Sequence, residues 1–187
     1  MDDADRAPRP DDEAAERARR RADRERVRAL MDLHEGRGPV PVLDDAAIAD
    51  VLGRARRIAV VGASSRPFRP SHGVMAELLR HGYDVVPVSP RETEVLGRRC
   101  YPDLAAAVAA EGPVDIVDVF RNAAACPAHA RESVEVGAGC LWLQLGIVSW
   151  EAARIAAEAG IPVVMDRCTS IELGRLRPGR SPQPPPG

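Results

Sequence analysis

Few side chains in this 187-residue sequence are of the kinds that do covalent chemistry, and their spacing narrows the choice further. Asp166-Arg167-Cys168 sets a guanidinium beside a thiol, an arrangement that favours a thiolate nucleophile. In the competing reading Asp166 pairs with Arg167, and Cys168 is a small buried residue. Cys100, Cys126 and Cys140 are irregularly spaced, with no C-x-x-C pair, so all four cysteines are expected as reduced thiols. His34, His72, His81 and His129 give no metal-ligand spacing, and no metal site is expected. Lysine is absent from the chain, which excludes Schiff-base, phosphate-loop and kinase-strand lysines. No nucleophile, base and orienting group assemble from these residues, so no catalytic residue is assigned.

Anion binding is better supported. Arg57 to Val61 is a β-branched run that breaks at Gly62-Ala63-Ser64-Ser65, passes Arg69 and opens a helix at Ser71-His72. A glycine after a strand lets the backbone approach a pyrophosphate, and the N–H groups and positive dipole end of the next helix favour the anion. His72, at that helix start, is a neutral donor within reach of phosphate. The second apolar run ends Val88-Ser89-Pro90-Arg91, without the tip carboxylate that usually holds the ribose diol of a nicotinamide cofactor. Arg91 instead suits a phosphate on the ribose. The first turn has Gly62 alone in place of G-x-G-x-x-G, which also disfavours plain NAD.

These residues need a scaffold, and strands and helices alternate from Ile58 onward. The strands are read at 58–62, 83–88, 114–120, 140–145 and 161–165, with helices at 71–81, 104–110, 123–136 and 149–159 between them. Gly82 and Gly160 close helices, and Asp44 or Asp45 and Ser149 cap them. Helical crossovers of this length require a parallel sheet covered on both faces. The expected fold is α/β, Rossmann-like and doubly wound, with a five-stranded parallel sheet in the order 3-2-1-4-5. The cleft would then lie between the Gly62 turn and the loop after Leu145. Phe120-Arg121, Gln144, Gly146 and Arg167 follow later strands on that rim. For Arg121 the choice is between ligand and Asp118, and Trp142 reads as core.

Residues 1–43 form a charged arm, helical or disordered, followed by a domain over 44–176 and a Pro-rich disordered tail at 177–187. The formal net charge of −2 gives no global basic field for nucleic acid. No apolar run reaches membrane-span length and no secretory segment is present, so a cytoplasmic protein without membrane attachment is expected.

Six blocks, in order, resemble the small bacterial CoA-binding proteins: Val61-Gly62-Ala63-Ser64, Arg69 to Val74, Tyr83 to Pro90, Val117 to Arg121, Leu141 to Ile147, and Val164 to Cys168. That family is similar to the CoA-binding domain of succinyl-CoA synthetase alpha subunits, and the resemblance covers about residues 48–176. It implies that Gly62, Ala63, Ser64 and the helix start near Ser71 take the pyrophosphate, and that Ser89, Pro90 and Arg91 border the adenosine and its phosphate. Ser89 replaces the asparagine common in the family. Cofactor-binding residues are thus expected at Gly62, Ala63, Ser64, Ser65, Arg69, Ser71, His72, Ser89, Pro90, Arg91, Phe120, Arg121, Gln144, Gly146 and Arg167, with coenzyme A or an acyl-CoA as ligand.

The expected function is coenzyme A binding without catalysis. Two alternatives stay open: an enzyme, either an NADP-dependent oxidoreductase or an acyl-CoA-handling activity through Cys168, and a CoA-sensing subunit that reaches a second copy or a protein partner through the arm. The sequence ends about ten residues beyond the resemblance, so ligase activity of its own is not expected.

Overall fold

The structure, a computed structural model, describes residues 10–176; the remainder of the arm and the Pro-rich tail lie outside the described residues. These residues divide after Arg37 into two compact units. The first is built on α1 (Pro10–His34). Its surface is laced with i,i+4 ion pairs such as Arg20 to Glu16 at 2.9 Å and Arg21 to Glu25 at 2.8 Å. Such pairs stabilise a helix by only a few tenths of a kcal/mol each.

The second unit opens with α2 (Asp45–Arg54), whose first turn is capped by the Asp44 side chain accepting from Ala47 N–H at 2.9 Å. Then follow β1 (Arg57–Val61), α3 (Pro70–Arg80), β2 (Asp84–Val88), β3 (Glu94–Val95), β4 (Arg98–Arg99), α4 (Leu104–Glu111), β5 (Ile116–Val119), α5 (Cys126–Glu135), β6 (Leu141–Leu143), α6 (Trp150–Glu158), β7 (Val163–Val164) and α7 (Thr169–Leu176). Ser149 caps α6 by accepting from Ala152 N–H.

The main sheet is parallel throughout, in the order β2-β1-β5-β6-β7, and β3 and β4 form a small antiparallel hairpin. The doubly wound α/β class expected from the sequence is the one observed. The strand order 3-2-1-4-5 is corrected: the third long strand, β5, pairs with β1 and not with β2. The place beside β2 is taken by Tyr101, which forms a parallel bridge to Val88. Its N–H donates to Pro87 O at 3.0 Å, and its carbonyl accepts from Ser89 N–H at 2.8 Å. At the other margin Leu43 N–H donates to Val163 O at 3.1 Å. Strand pieces this short leave no periodicity, so the edge position was assigned to the next long apolar run.

Helices α2, α3 and α7 meet on one face, and α4, α5 and α6 on the other. Alternate residues of each strand point to each face. Ile58, Val60, Ile116 and Trp142 meet Ile48, Leu52, Met75, Leu78 and Leu173 on the α2 side. Burying a side chain of this size fully is worth roughly 1.5–3 kcal/mol relative to leaving it exposed. Trp142 is core, as read, and its indole N–H donates to Arg167 O at 2.6 Å.

Candidate functional site

Chain direction changes at β1 and β5: α3 leaves β1 toward one face and α5 leaves β5 toward the other. A doubly wound sheet opens a crevice at such a point, at the carboxyl ends of its strands. The cleft is therefore centred between the Gly62 turn and Phe120-Arg121, one strand nearer to β2 than expected. It measures about 660 Å³. Its walls follow the sheet order: Ser89, Arg91 and Glu92 after β2, then Gly62, Ala63, Ser64, Arg66, Arg69 and the first turn of α3 after β1. Phe120, Arg121 and Asn122 come after β5, Gln144, Leu145 and Ile147 after β6, and Cys168 after β7.

Gly62 sits at φ +87°, a conformation that costs an L side chain about 1–2 kcal/mol. A Cβ there would lie 3.1 Å from Arg121 Cδ and 3.2 Å from Phe120 O. Glycine thus lets the Arg121 side chain cross over the turn. The Gly62 and Ala63 N–H groups both donate to Val88 O, at 2.9 and 3.3 Å, so they brace the turn against β2. Ser64 Oγ at 3.3 Å and Ser65 N–H at 3.1 Å donate to Glu92 Oε1, and His72 Nδ1 donates to the Ser64 carbonyl at 3.1 Å. An internal carboxylate therefore sits on the donors of the turn. The Ser65 hydrogen bonds hold the Glu92 carboxyl below its ordinary value of 4.5.

Arg66, Arg69, Arg91 and Arg121 line the cleft, and none has a hydrogen bond or ion pair from its guanidinium to any described residue. Several other guanidinium groups are paired: Arg57 with Asp84 at 2.7 Å, Arg131 with Glu151 at 3.4 Å, Arg175 with Asp45 at 2.7 Å. Asp118 is fully buried and bonds Gln144 and Thr169, so it is not the partner of Arg121.

Ten expected site residues come together in the cleft: Gly62, Ala63, Ser64, Arg69, Ser71, Ser89, Arg91, Phe120, Arg121 and Gln144. Five do not line it. Ser65 and Pro90 are exposed beside it, and His72 braces the turn from behind. Gly146 N–H donates to Asp166 Oδ1 at 2.6 Å. Arg167 is drawn to Glu172 and Asp45, at 3.2 Å each, in a cluster that ties α7 to α2. Arg66, Pro70, Val74, Glu92, Asn122, Leu145 and Ile147 line the cleft beyond the assigned binding residues, and Cys168 lines it as the rim position expected after the last strand. All lie one or two residues from a position that the sequence did assign. The four cysteines are free; burial pushes Cys126 up to about 11 and Cys140 up to about 12.

Residues 56–174 match the CoA binding domain family, nearly the whole of the second unit. The chain belongs to that family. Several relatives are small proteins that the match covers almost end to end. An uncharacterized protein of Bacillus subtilis, YneT, is 40% identical over 126 residues, covering 67% of this chain and 91% of the relative. A solved Thermus thermophilus structure is 40% identical with a TM-score of 0.67, over 72% of this chain and 99% of that one. A hypothetical protein of Pyrococcus horikoshii is 38% identical with a TM-score of 0.68, over 72% and 93%. As in other Rossmann-like chains, this CoA-binding domain carries its cleft at the carboxyl ends of the sheet, and among the described residues no helix is long and apolar enough to cross a membrane.

Proposed function

We propose that the cleft binds coenzyme A or an acyl-coenzyme A, and that the protein is a binding module without a reaction of its own. The carrying observation is the convergence of Arg66, Arg69, Arg91 and Arg121, none hydrogen-bonded through its guanidinium to a described residue and with Glu92 the one carboxylate of the lining, on one end of a cleft whose other end is uncharged. Guanidinium forks suit phosphate oxygens, and each phosphate monoester carries about −1.5 to −2 at neutral pH. A ligand with a diphosphate and a ribose phosphate at one end and a neutral arm at the other matches this gradient. Membership of the CoA binding domain family supports the same reading. Arg121 and Arg66 flank the Gly62 turn, where the diphosphate is assigned, and Arg91 is assigned to the ribose phosphate.

The binding-only reading rests on the chemistry of the lining. The cleft offers Ser64, Ser71, Ser89 and Cys168 as hydroxyls and thiol, and none of them is hydrogen-bonded to a histidine side chain among the described residues. The test is calorimetric titration of the stripped protein with coenzyme A, acetyl-coenzyme A, NADP and NAD at one salt concentration. Coenzyme A is expected to bind and NAD not; tighter binding of NADP overturns the reading. Arg91→Ala is expected to weaken coenzyme A about tenfold and dephospho-coenzyme A much less, the scale of one lost charge-assisted contact. Equal weakening of both sinks the assignment of Arg91 to the ribose phosphate.

A further inference from the structure

The uncharged end of the cleft holds a polar group whose orientation is fixed from below. Gln144 follows β6 and lines the cleft, yet its side chain is almost enclosed, with 5% of the residue exposed. Its Nε2 donates to Asp118 Oδ1 at 2.8 Å, to Asp118 Oδ2 at 3.0 Å and to Thr169 Oγ1 at 2.9 Å. Thr169, the first residue of α7, donates its hydroxyl proton to Asp118 Oδ2 at 2.9 Å. At pH 8, above the value of about 7 to which burial pushes it, Asp118 is mostly a carboxylate that only accepts, and the one hydroxyl proton of Thr169 is already taken. Turning the amide over would set its oxygen against three acceptors with no proton between them. The amide nitrogen therefore faces the sheet and Oε1 faces away from it.

That oxygen accepts no hydrogen bond from a described residue. It is also not sealed in, because the one fully enclosed unpartnered side-chain polar atom among the described residues is Trp150 Nε1. Its exposure is to the cleft. The lining at the β6 and β7 ends is Gln144, Leu145, Ile147 and Cys168, with no charged side chain among them. Strands lie about 4.8 Å apart, so Gln144 stands about 14 Å across the sheet from Arg91 and about 5 Å from the β5 end that carries Arg121. An acceptor placed here meets the phosphate-free part of a ligand whose phosphates occupy the arginines.

We propose that Gln144 is a binding residue whose carboxamide oxygen accepts a hydrogen bond from an N–H or S–H donor on the uncharged arm of the ligand, and that Asp118 and Thr169 are positioning residues that hold this oxygen toward the cleft. The proposal rests on the coenzyme A reading. It gives a role to a fully buried carboxylate whose placement in a strand is otherwise costly. It also makes the site sensitive to what the arm carries, beyond the phosphates that any coenzyme A derivative shares.

Binding of three ligands to the full chain tests it: coenzyme A, S-methyl-coenzyme A, whose amides remain while its thiol donor is gone, and 3′-phospho-ADP, which lacks the arm. In the wild type, coenzyme A is expected to bind more tightly than 3′-phospho-ADP. Gln144→Met is expected to weaken coenzyme A about tenfold and to leave 3′-phospho-ADP unchanged, the scale of one hydrogen bond to a positioned acceptor. An equal loss on S-methyl-coenzyme A excludes the thiol and leaves the donors that this derivative retains, the amides foremost, and no loss there assigns the donor to the thiol. Thr169→Val, which keeps Gln144 and loosens its amide, is expected to lower the ratio of the two affinities in the same direction by about threefold and serves if Gln144→Met does not fold. A ratio unchanged in the folded variants, or equal weakening of coenzyme A and 3′-phospho-ADP, overturns the proposal. Failure of both ligands to bind the wild type instead overturns the coenzyme A reading itself.

Discussion

Glu92 occupies the donors that a ligand phosphate would use, Ser64 Oγ and Ser65 N–H. A phosphate entering the turn must displace this carboxylate, so Glu92→Gln is expected to tighten coenzyme A about fivefold, the scale of one competing hydrogen-bonded group weakened. Calorimetry reads the sign directly; weaker binding would make Glu92 a ligand contact. Gly62→Ala is expected to destabilise the fold by about 1–2 kcal/mol, from its positive φ and the close Arg121 and Phe120 atoms, measured by urea unfolding. At this scale the sequence is legible where function depends on a residue's own type at a strand end, as for Gly62, Arg91 and Arg121. It is not legible where the decisive partner is distant in the chain. Arg167 follows the last strand as a rim residue should, yet Asp45, more than a hundred residues earlier, and Glu172 hold it away from the cleft.

Within β5 the Asp118 carboxyl is pushed up to about 7 by burial, although the hydrogen bonds from Gln144 and Thr169 act in the other direction. The folded chain thus holds a proton that the unfolded chain has released above its ordinary value of 3.8. Stability from this group is present below about pH 4 and is lost as pH rises toward about 7. Asp118→Asn is expected to flatten that part of the curve, as read by thermal melts from pH 4 to pH 8; an unchanged slope would mean that other groups set it. The long apolar runs of β1, β2, β5 and β6, and the caps at Asp44 and Ser149, could be read from local pattern alone. The order of strands could not. Which side of β1 receives the next strand depends on the face its crossover helix covers, and the two-residue β3 and β4 and the single Tyr101 bridge carry no period to betray an edge.

For the whole molecule, a chain of formal net charge −2 gathers four unpaired guanidinium groups at one cleft. Coenzyme A binding is therefore expected to weaken about fivefold between 50 and 300 mM salt, because the screening length of exposed charges falls from about 14 Å to about 6 Å over that range. Titrations at several salt concentrations check this, and salt-independent binding would argue against ion pairing in the cleft. The cleft residues all belong to the unit that begins at Gly38. A chain starting at Gly38 is expected to keep coenzyme A affinity within about threefold, and a larger loss would assign the arm a part in binding.

Both margins of the parallel sheet are closed by single backbone contacts: Tyr101 along β2, and the Leu43 N–H on Val163 along β7. Pro87 removes one donor from β2 altogether, and the charged pair Arg98 and Asp84 lies beside that margin at 3.3 Å. An open strand edge is a template on which another chain adds and aggregation spreads. Among the described residues a tyrosine, a proline and one loop amide take up backbone positions on these margins, which narrows the template left for a further strand.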